Sequence, residues 1–440
     1  MLCGKGAITV SKYTKQDIMD LVEEEDVEFI RLQFVDIFGT LKNMAVTTSQ
    51  LEKVLNNKCR FDGAAIEGMD GHVGHLFLVP DLDTFAIFPW RPQQGKVARL
   101  LCDVRKENGE PFEADSRNVL KEVIKKASNL GYTLDVGSEC EFFLFDTDEN
   151  GEPTTSTRET GAYFDIGPLD SGQNARREMV IFLEEMGFEV ESSYHSRAVA
   201  QHEIDFKSDD ALRSADNIAT FKMVVRTTAR RHGCHATFMP KPLCGVNGSG
   251  MHLTFKLYDE MGKNVFTDTE KENRISDTAY YFTAGVLEHI KGMTLLNNPI
   301  INSYKRLVKG YNAPVDINWS ETLRDTLVCI EAGSHEGTQL ILTSPDAASN
   351  PYLVIAACLA AGLDGIEKKR MPYSNGKVTN AETLPANLEE AIYEFKKDAF
   401  VQNVVGEQIS TKLTESKKKE WDEYCKQVSD WEIKQYLYRI

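Results

Sequence analysis

The stretch VEFIRLQFVDIFGTLKNMAV, residues 27–46, sets the fold class of the first part of the chain. From Val27 to Asp36 apolar and polar side chains alternate, the period-2 signature of a strand with one buried face. IFGT at 37–40 supplies a glycine-bearing turn, and LKNMAV at 41–46 is extended again, so strand, turn and strand read as a β-hairpin. On the N-terminal side, TKQDIMDLVEEED at 14–26 reads as a short amphipathic helix that starts at a threonine cap. On the C-terminal side, strand-like runs follow at 76–90 and 97–104. Residues 1–105 are therefore expected to form a small sheet-based domain, and the polar, turn-rich KENGEPFEADSR at 106–117 marks its boundary.

Beyond the boundary, NVLKEVIKKASNLGY (118–132) predicts a helix stopped by Gly131. GSECEFFLFD (137–146), QHEIDFK (201–207) and GMHLTFKLYD (250–259) predict strands. ARREMVIFLEEMGF (175–188), DTAYYFTAGVLEHIKGM (277–293) and PYLVIAACLAAGLDGIEKK (351–369) predict helices. The last is apolar nearly all round and should be buried. Strict βαβ alternation is absent, so an α+β architecture is expected.

Composition bounds the function. The 440 residues exceed one small domain, and 42% hydrophobic with 27% charged residues is a globular balance. A net charge of -17 repels polyanions and argues against a nucleic-acid partner. Nine scattered cysteines without a C-x-x-C pair point to a reducing, cytoplasmic setting. MLCGKGAITVSKY at the start has no apolar leader, and no run approaches the ~18 apolar residues of a membrane span.

Glu139 and Glu141 lie two apart in a strand pattern, which puts both carboxylates on one face. Such a pair repels unless a cation sits between, although two ordinary acids on an exposed sheet face share the same pattern. Glu203 lies in QHEIDF, and His252 closes NGSGMH (247–252), whose glycines let backbone approach a ligand. Carboxylates with one imidazole suit Mg²⁺ or Mn²⁺ better than zinc. Arg306 in INSYKRLVKGY (301–311) and Arg324 in WSETLR (319–324) are either clamps for a carboxylate or phosphate or plain surface charges.

FIRLQFVDIFGTLKN, RFDGAAIEG, PDLDTFAIFPW, ECEFFLFD, AYFDIGPLD, QHEIDFK, NGSGMHL, NSYKRLVKGYNAPV and NPYLVIAACLAAGLDGI run in this order from residue 29 to 366. The chain thereby resembles the type I glutamine synthetases. Between Lys377 and Leu388 it has only KVTNAETLPANL, similar to the shorter, non-adenylylated subtype. The resemblance implies a β-grasp domain at 1–105 and a catalytic-type domain at 106–440. It implies a homo-oligomer of two hexameric rings, a dodecamer whose active sites are shared between neighbours. It implies a ligase of nitrogen metabolism that joins glutamate and ammonia through γ-glutamyl phosphate, with ATP and Mg²⁺ or Mn²⁺ as cofactors.

By the same resemblance, Glu141 and Glu203 serve one metal ion, and Glu139 and His252 the other. Asn247, Gly248 and Arg306 match glutamate-binding positions, and Tyr163 lines the ammonium pocket. Asp62 reaches a neighbour's ammonium pocket, and Arg324 retains a phosphate-side arginine. Several positions depart from the family. Ser196 and Ile341 stand where it carries glutamate ligands, Asn312 where it carries a catalytic flap glutamate, and Cys329, Gln339 and Thr343 where it carries arginines. Each departure is flanked by matching residues without a gap. Weakened metal and ATP binding, and weak or absent synthesis, are expected, with a regulatory or structural role that includes mixed assembly with an active synthetase. The alternatives are a γ-glutamyl ligase for another amine and an active synthetase with compensating changes.

Overall fold

The hairpin at 27–46 forms as its alternation requires. β1 (Val27–Val35) pairs antiparallel with β2 (Leu41–Thr47), with Val35 opposite Leu41. The structure is a computed structural model that describes residues 12–69, 74–91, 94–333, 337–373 and 382–440. The start of the chain up to residue 11, and the first five residues of KVTNAETLPANL, lie outside the described residues.

Ahead of β1, α1 (Lys15–Glu24) begins at Thr14, whose side chain accepts from Asp17 N while Asp17 reaches back to Thr14 N. This reciprocal capping box satisfies two backbone donors that a helix start leaves open. β3 (Cys59–Asp62), β4 (His75–Ile87) and β5 (Lys96–Lys106) complete a five-stranded sheet of order β2-β1-β5-β4-β3. The β-grasp expectation is met.

The second sheet comprises β6 (Tyr132–Cys140), β7 (Phe142–Asp146), β8 (Val190–His195), β9 (Gln201–Asp210), β10 (Cys234–Thr237), β11 (Met251–Asp259), β12 (Trp319–Ser320), β13 (Val328–Ala332) and β14 (Thr338–Leu342). Its order is β10-β7-β9-β6-β11-β14-β13-β12, with β8 added on β9. The single strand expected at 137–146 is two strands broken at Glu141. β6 follows β11 as far as Cys140 opposite Met251, whereas β7 turns to β9 and β10. The Glu141 N–H between them donates to the Gly250 carbonyl.

The anticipated helices are α2 (Ser116–Asn129), α3 (Gln173–Glu185), α5 (Asp277–Asn297) and α6 (Pro351–Lys368), and α4 (Ala211–Arg231) joins them. α4, and the helices from Leu388 to the C-terminal end, were not legible in the apolar pattern. α6 is buried along most of its length, as its composition demands. It crosses α5 where Gly285 faces the Ala361 carbonyl and Gly365 faces that of Tyr281, contacts too close for any side chain. Each fully buried Leu or Ile of this layer contributes ~1.5–3 kcal/mol by leaving water.

Two polar joints fasten the sheets together. Asn350 caps α6 by accepting from Tyr352 N and Leu353 N, and its amide donates to the Asp36 carbonyl of the hairpin turn at 3.0 Å. Arg117 on α2 donates through Nη1 to Asp103 (2.7 Å), through Nη2 to Asp81 (2.7 Å) and through Nε to Asp216 (2.9 Å). Asp81 and Asp103 belong to β4 and β5, and Asp216 to α4, so one guanidinium spans both parts of the chain.

Candidate active site

Strand register creates the centre of the site. Glu139 on β6 lies directly opposite His252 on β11, and His252 Nδ1 approaches Glu139 Oε2 at 3.4 Å. This hydrogen bond, with the charge of Arg324 further off, holds the Glu139 carboxyl below its usual range. On the same face, Thr254 of β11 opposes Ile341 of β14, and Ile341 opposes Cys329 of β13.

Glu141 sits at the break between strands and is clasped from both sides. Gly250 N donates to its Oε2 at 2.7 Å, and Ser196 Oγ donates to its Oε1 at 3.0 Å. Glu203, on β9 opposite Tyr194, is buried, and its pKa is pushed up to about 9. Burial is the main cause, followed by the nearby charges of Glu141, Asp205 and Glu139. The four sequence candidates Glu139, Glu141, Glu203 and His252 therefore gather in one place. A carboxylate that burial and neighbouring carboxylates keep protonated is one whose proton a bound cation would displace. All-oxygen donors plus one imidazole fit Mg²⁺ or Mn²⁺. Ser196 and Ile341 border this group and bring it no charge, and Ile341 is only 6% exposed.

The substrate-side candidates are placed differently. Gly248 packs so tightly on the Pro240 carbonyl and the Arg306 side chain that no Cβ fits there, with Asn247 half-buried beside it. Arg306 is buried and donates to the carbonyls of Ser344 (2.8 Å) and Thr343 (3.0 Å), while its side chain packs against Gly248 and Gly250. Tyr163 is exposed, stacks on Phe164 with ring centroids 4.1 Å apart, and meets Tyr194 edge-on at 5.9 Å. Tyr194 links it to Glu203. Asp62 lies in the other sheet, where it accepts from Ala64 N at 3.0 Å.

Asn312 occupies the left-handed backbone region at φ 53°, which asparagine tolerates better than most residues. It borders a groove of about 350 Å³ lined also by Lys309, Ala313, Asp316 and Asp325. Thr343 directs its hydroxyl to the Thr326 carbonyl at 2.9 Å. Arg324 is exposed and pairs with Glu331, Nη2 to Oε1, at 2.5 Å, while Gln339 Nε2 donates to Glu331 Oε2 at 2.9 Å.

Glu159 is a site-shaping residue that sequence pattern missed. It is buried and accepts from His195 Nε2 (2.6 Å), Ala200 N (2.8 Å), Ser171 N (3.0 Å) and Gly172 N (3.2 Å). His195 Nδ1 in turn contacts the Ser196 carbonyl at 2.7 Å. Both His195 nitrogens thus face acceptors, which requires an imidazolium; burial opposes it, but the bonds to Glu159 and Ser196 raise its pKa. Against the burial that would raise it, the hydrogen bond from His195 leads the effects that hold Glu159 at about 2.

Glu159, Asp170 and His202 also bring ligand atoms within 4.8 Å of one another. They do not fit a metal ion. Arg176 already donates to Asp170 (2.8 Å) and to His202 Nδ1 (2.8 Å), which leaves the proton of the neutral His202 on Nε2, the atom that would bind. Two anions, Arg176 and His195 already balance.

The low Glu159 pKa makes stability pH-dependent. Its contribution is present above 4.5, the ordinary value, and is lost as pH falls towards 2. Glu159→Gln should cost about 2 kcal/mol at pH 7 and flatten the acid limb of the melting profile. Thermal melts from pH 2 to 7 check this, and an unchanged acid limb would count against the network.

Models of two families match the chain: "Glutamine synthetase, beta-Grasp domain" over residues 26–107 and "Glutamine synthetase, catalytic domain" over 113–436. The chain belongs to the glutamine synthetase family. It is 52% identical to a glutamine synthetase of Clostridium saccharobutylicum over 97% of this chain and 99% of that one. It is 49% identical to a glutamine synthetase of Staphylococcus epidermidis over 97% and 98% of the two chains. Among solved structures, "GmaS/ADP complex-Conformation 1" is similar with a TM-score of 0.87 and 31% identity, covering 96% of this chain and 99% of that one. The Plasmodium falciparum glutamine synthetase shares the fold, with a TM-score of 0.87 over 97% and 99% of the chains at 23% identity. The family uses ATP and divalent metal ions. Among the described residues, no helix is long and apolar enough to cross a membrane.

Proposed function

We propose that this chain keeps the architecture and part of the cation site of a glutamine synthetase while handling ATP poorly, so that ligation of glutamate and ammonia is weak or lost. One observation carries the reading. At the two positions where family resemblance calls for ligand carboxylates, Ser196 spends its hydroxyl on Glu141, and Ile341 is buried against its strand neighbours. An aliphatic side chain cannot ligate a hard cation.

Glu139, Glu141, Glu203 and His252 would hold the Mg²⁺ or Mn²⁺, whose charge would neutralise the phosphates of ATP during transfer. The chain's own groups do the rest incompletely. Arg324 has its charge returned by Glu331. The Asn312 amide has no basic oxygen with which to take a proton from ammonium. Loss of one transition-state donor costs about 10²–10³ in rate and loss of a base about 10²–10⁴, without simple additivity.

We further read residues 1–105 and 106–440 as the two domains of a cytoplasmic dodecamer. In it, Asp62 faces a neighbouring subunit's pocket, and Tyr163 stands beside Glu203 on the substrate side. Mixed assembly with an active synthetase gives Asp62 a role independent of this chain's own turnover. The competing reading, an active synthetase with compensating changes, is favoured by the 52% identity to a named relative.

Assays of ATP-dependent synthesis and γ-glutamyl transfer, with Mg²⁺ and with Mn²⁺, decide between them. Turnover at least ~100-fold below ordinary enzyme rates of about 1–10³ s⁻¹ is expected. Ammonia-dependent turnover within that ordinary range supports the competing reading and sinks the first.

A further inference from the structure

Beyond its pairing with Arg324, Glu331 is a carboxylate on the working face of the site with no assigned role. On β13 it shares a face with Cys329, and it lies opposite Gln339 as Cys329 lies opposite Ile341. Both its oxygens are engaged, one by Arg324 and one by Gln339. Arg324 feels the charge of Glu139 as well as that of Glu331, so it lies within electrostatic reach of a candidate ligand. Burial alone would raise the Glu331 pKa, but Arg324 and Gln339 hold it low, so the group is an anion at neutral pH.

We propose that Glu331 is a specificity-determining residue that closes this face to phosphate anions by occupying the Arg324 guanidinium and presenting its own negative charge. The inference rests on the reading of Arg324 as a phosphate-side group. An incoming triphosphate must displace Glu331 from Arg324 and then lie against the displaced carboxylate. Glu331 holds the Nη2 donor of Arg324, so a phosphate that needs this donor competes with it and meets its negative charge. Arg324 is exposed and Glu331 only partly buried, so the pair adds little to folding and its removal leaves the protein intact.

The test is calorimetric titration of the full-length purified protein with Mg²⁺-ATP and, separately, with inorganic pyrophosphate. Glu331→Gln keeps the shape and the contact with Gln339 and removes the charge. It should tighten both ligands by about tenfold, equivalent to about 1.4 kcal/mol. Glu331→Asp keeps the charge and should stay near the parent. Adding Arg324→Gln to Glu331→Gln should abolish the gain, and raising the salt concentration should shrink it. An unchanged or weaker affinity in Glu331→Gln, or a gain that survives loss of Arg324, overturns the proposal. Weak synthesis by the parent protein together with no gain in Glu331→Gln defeats this inference alone. Normal synthesis by the parent with a clear gain defeats only the reading of impaired turnover.

Discussion

Arg117→Ala is expected to destabilise the protein by about 3–5 kcal/mol, lowering the melting temperature by roughly 3–5 °C for a chain of 440 residues. Arg117 is buried and neutralises three aspartates from three different elements. Lys121 still serves Asp103 at 2.6 Å, and Tyr352 still donates to Asp216 at 2.7 Å, but both aspartates lose their shared counter-ion. Removing one partner from a buried ionic group costs more than the group itself contributes, because the remaining charges stay out of water. Arg117→Lys should rescue little. An ammonium is a point donor and cannot reach three carboxylates in the planar directions that Nε, Nη1 and Nη2 provide. Hydrogen exchange of β4 and β5 locates the effect, since these strands lose their tie to α4. A loss below about 1 kcal/mol in Arg117→Ala would show that the joint between the two sheets lies elsewhere.

Ile341→Glu combined with Ser196→Glu should raise affinity for Mg²⁺ or Mn²⁺ by about 10²-fold, near 2.7 kcal/mol. The sign of the stability change should depend on the cation. Without metal, two more carboxylates join a face where Glu203 is already held at about 9, so the variant should melt below the parent. With millimolar metal it should melt above it, since binding to the folded state alone stabilises by mass action. Protons report the same event. Glu203 carries a proton when folded up to pH about 9 but only to about 4.5 when unfolded, so in that window the metal-free protein loses stability as pH rises. Metal entry should expel that proton, and calorimetry in buffers of different ionisation enthalpy near pH 7.5 counts it. If neither metal affinity nor melting temperature responds to the two glutamates, then Ser196 and Ile341 do not limit the site.

Local pattern in the sequence is enough for the hairpin, for the capped helix ahead of it and for the buried α6. Each depends on neighbours a few residues apart: alternation in β1, Thr14 with Asp17, an unbroken apolar run from Pro351. Strand spacing and motif resemblance together also single out Glu139, Glu141, Glu203 and His252. Only tertiary structure decides how these groups meet. It sets Glu139 against His252, breaks the strand at Glu141 and crowds Glu203 until it keeps its proton. It also draws Arg306 onto backbone carbonyls, and it builds the Glu159 network and the Glu331 clamp from residues with no periodic signal. The physical reason is range. Periodicity and capping are short-range preferences of the backbone, whereas burial, ion pairing and pKa shifts arise only when distant segments return to the same place and exclude water.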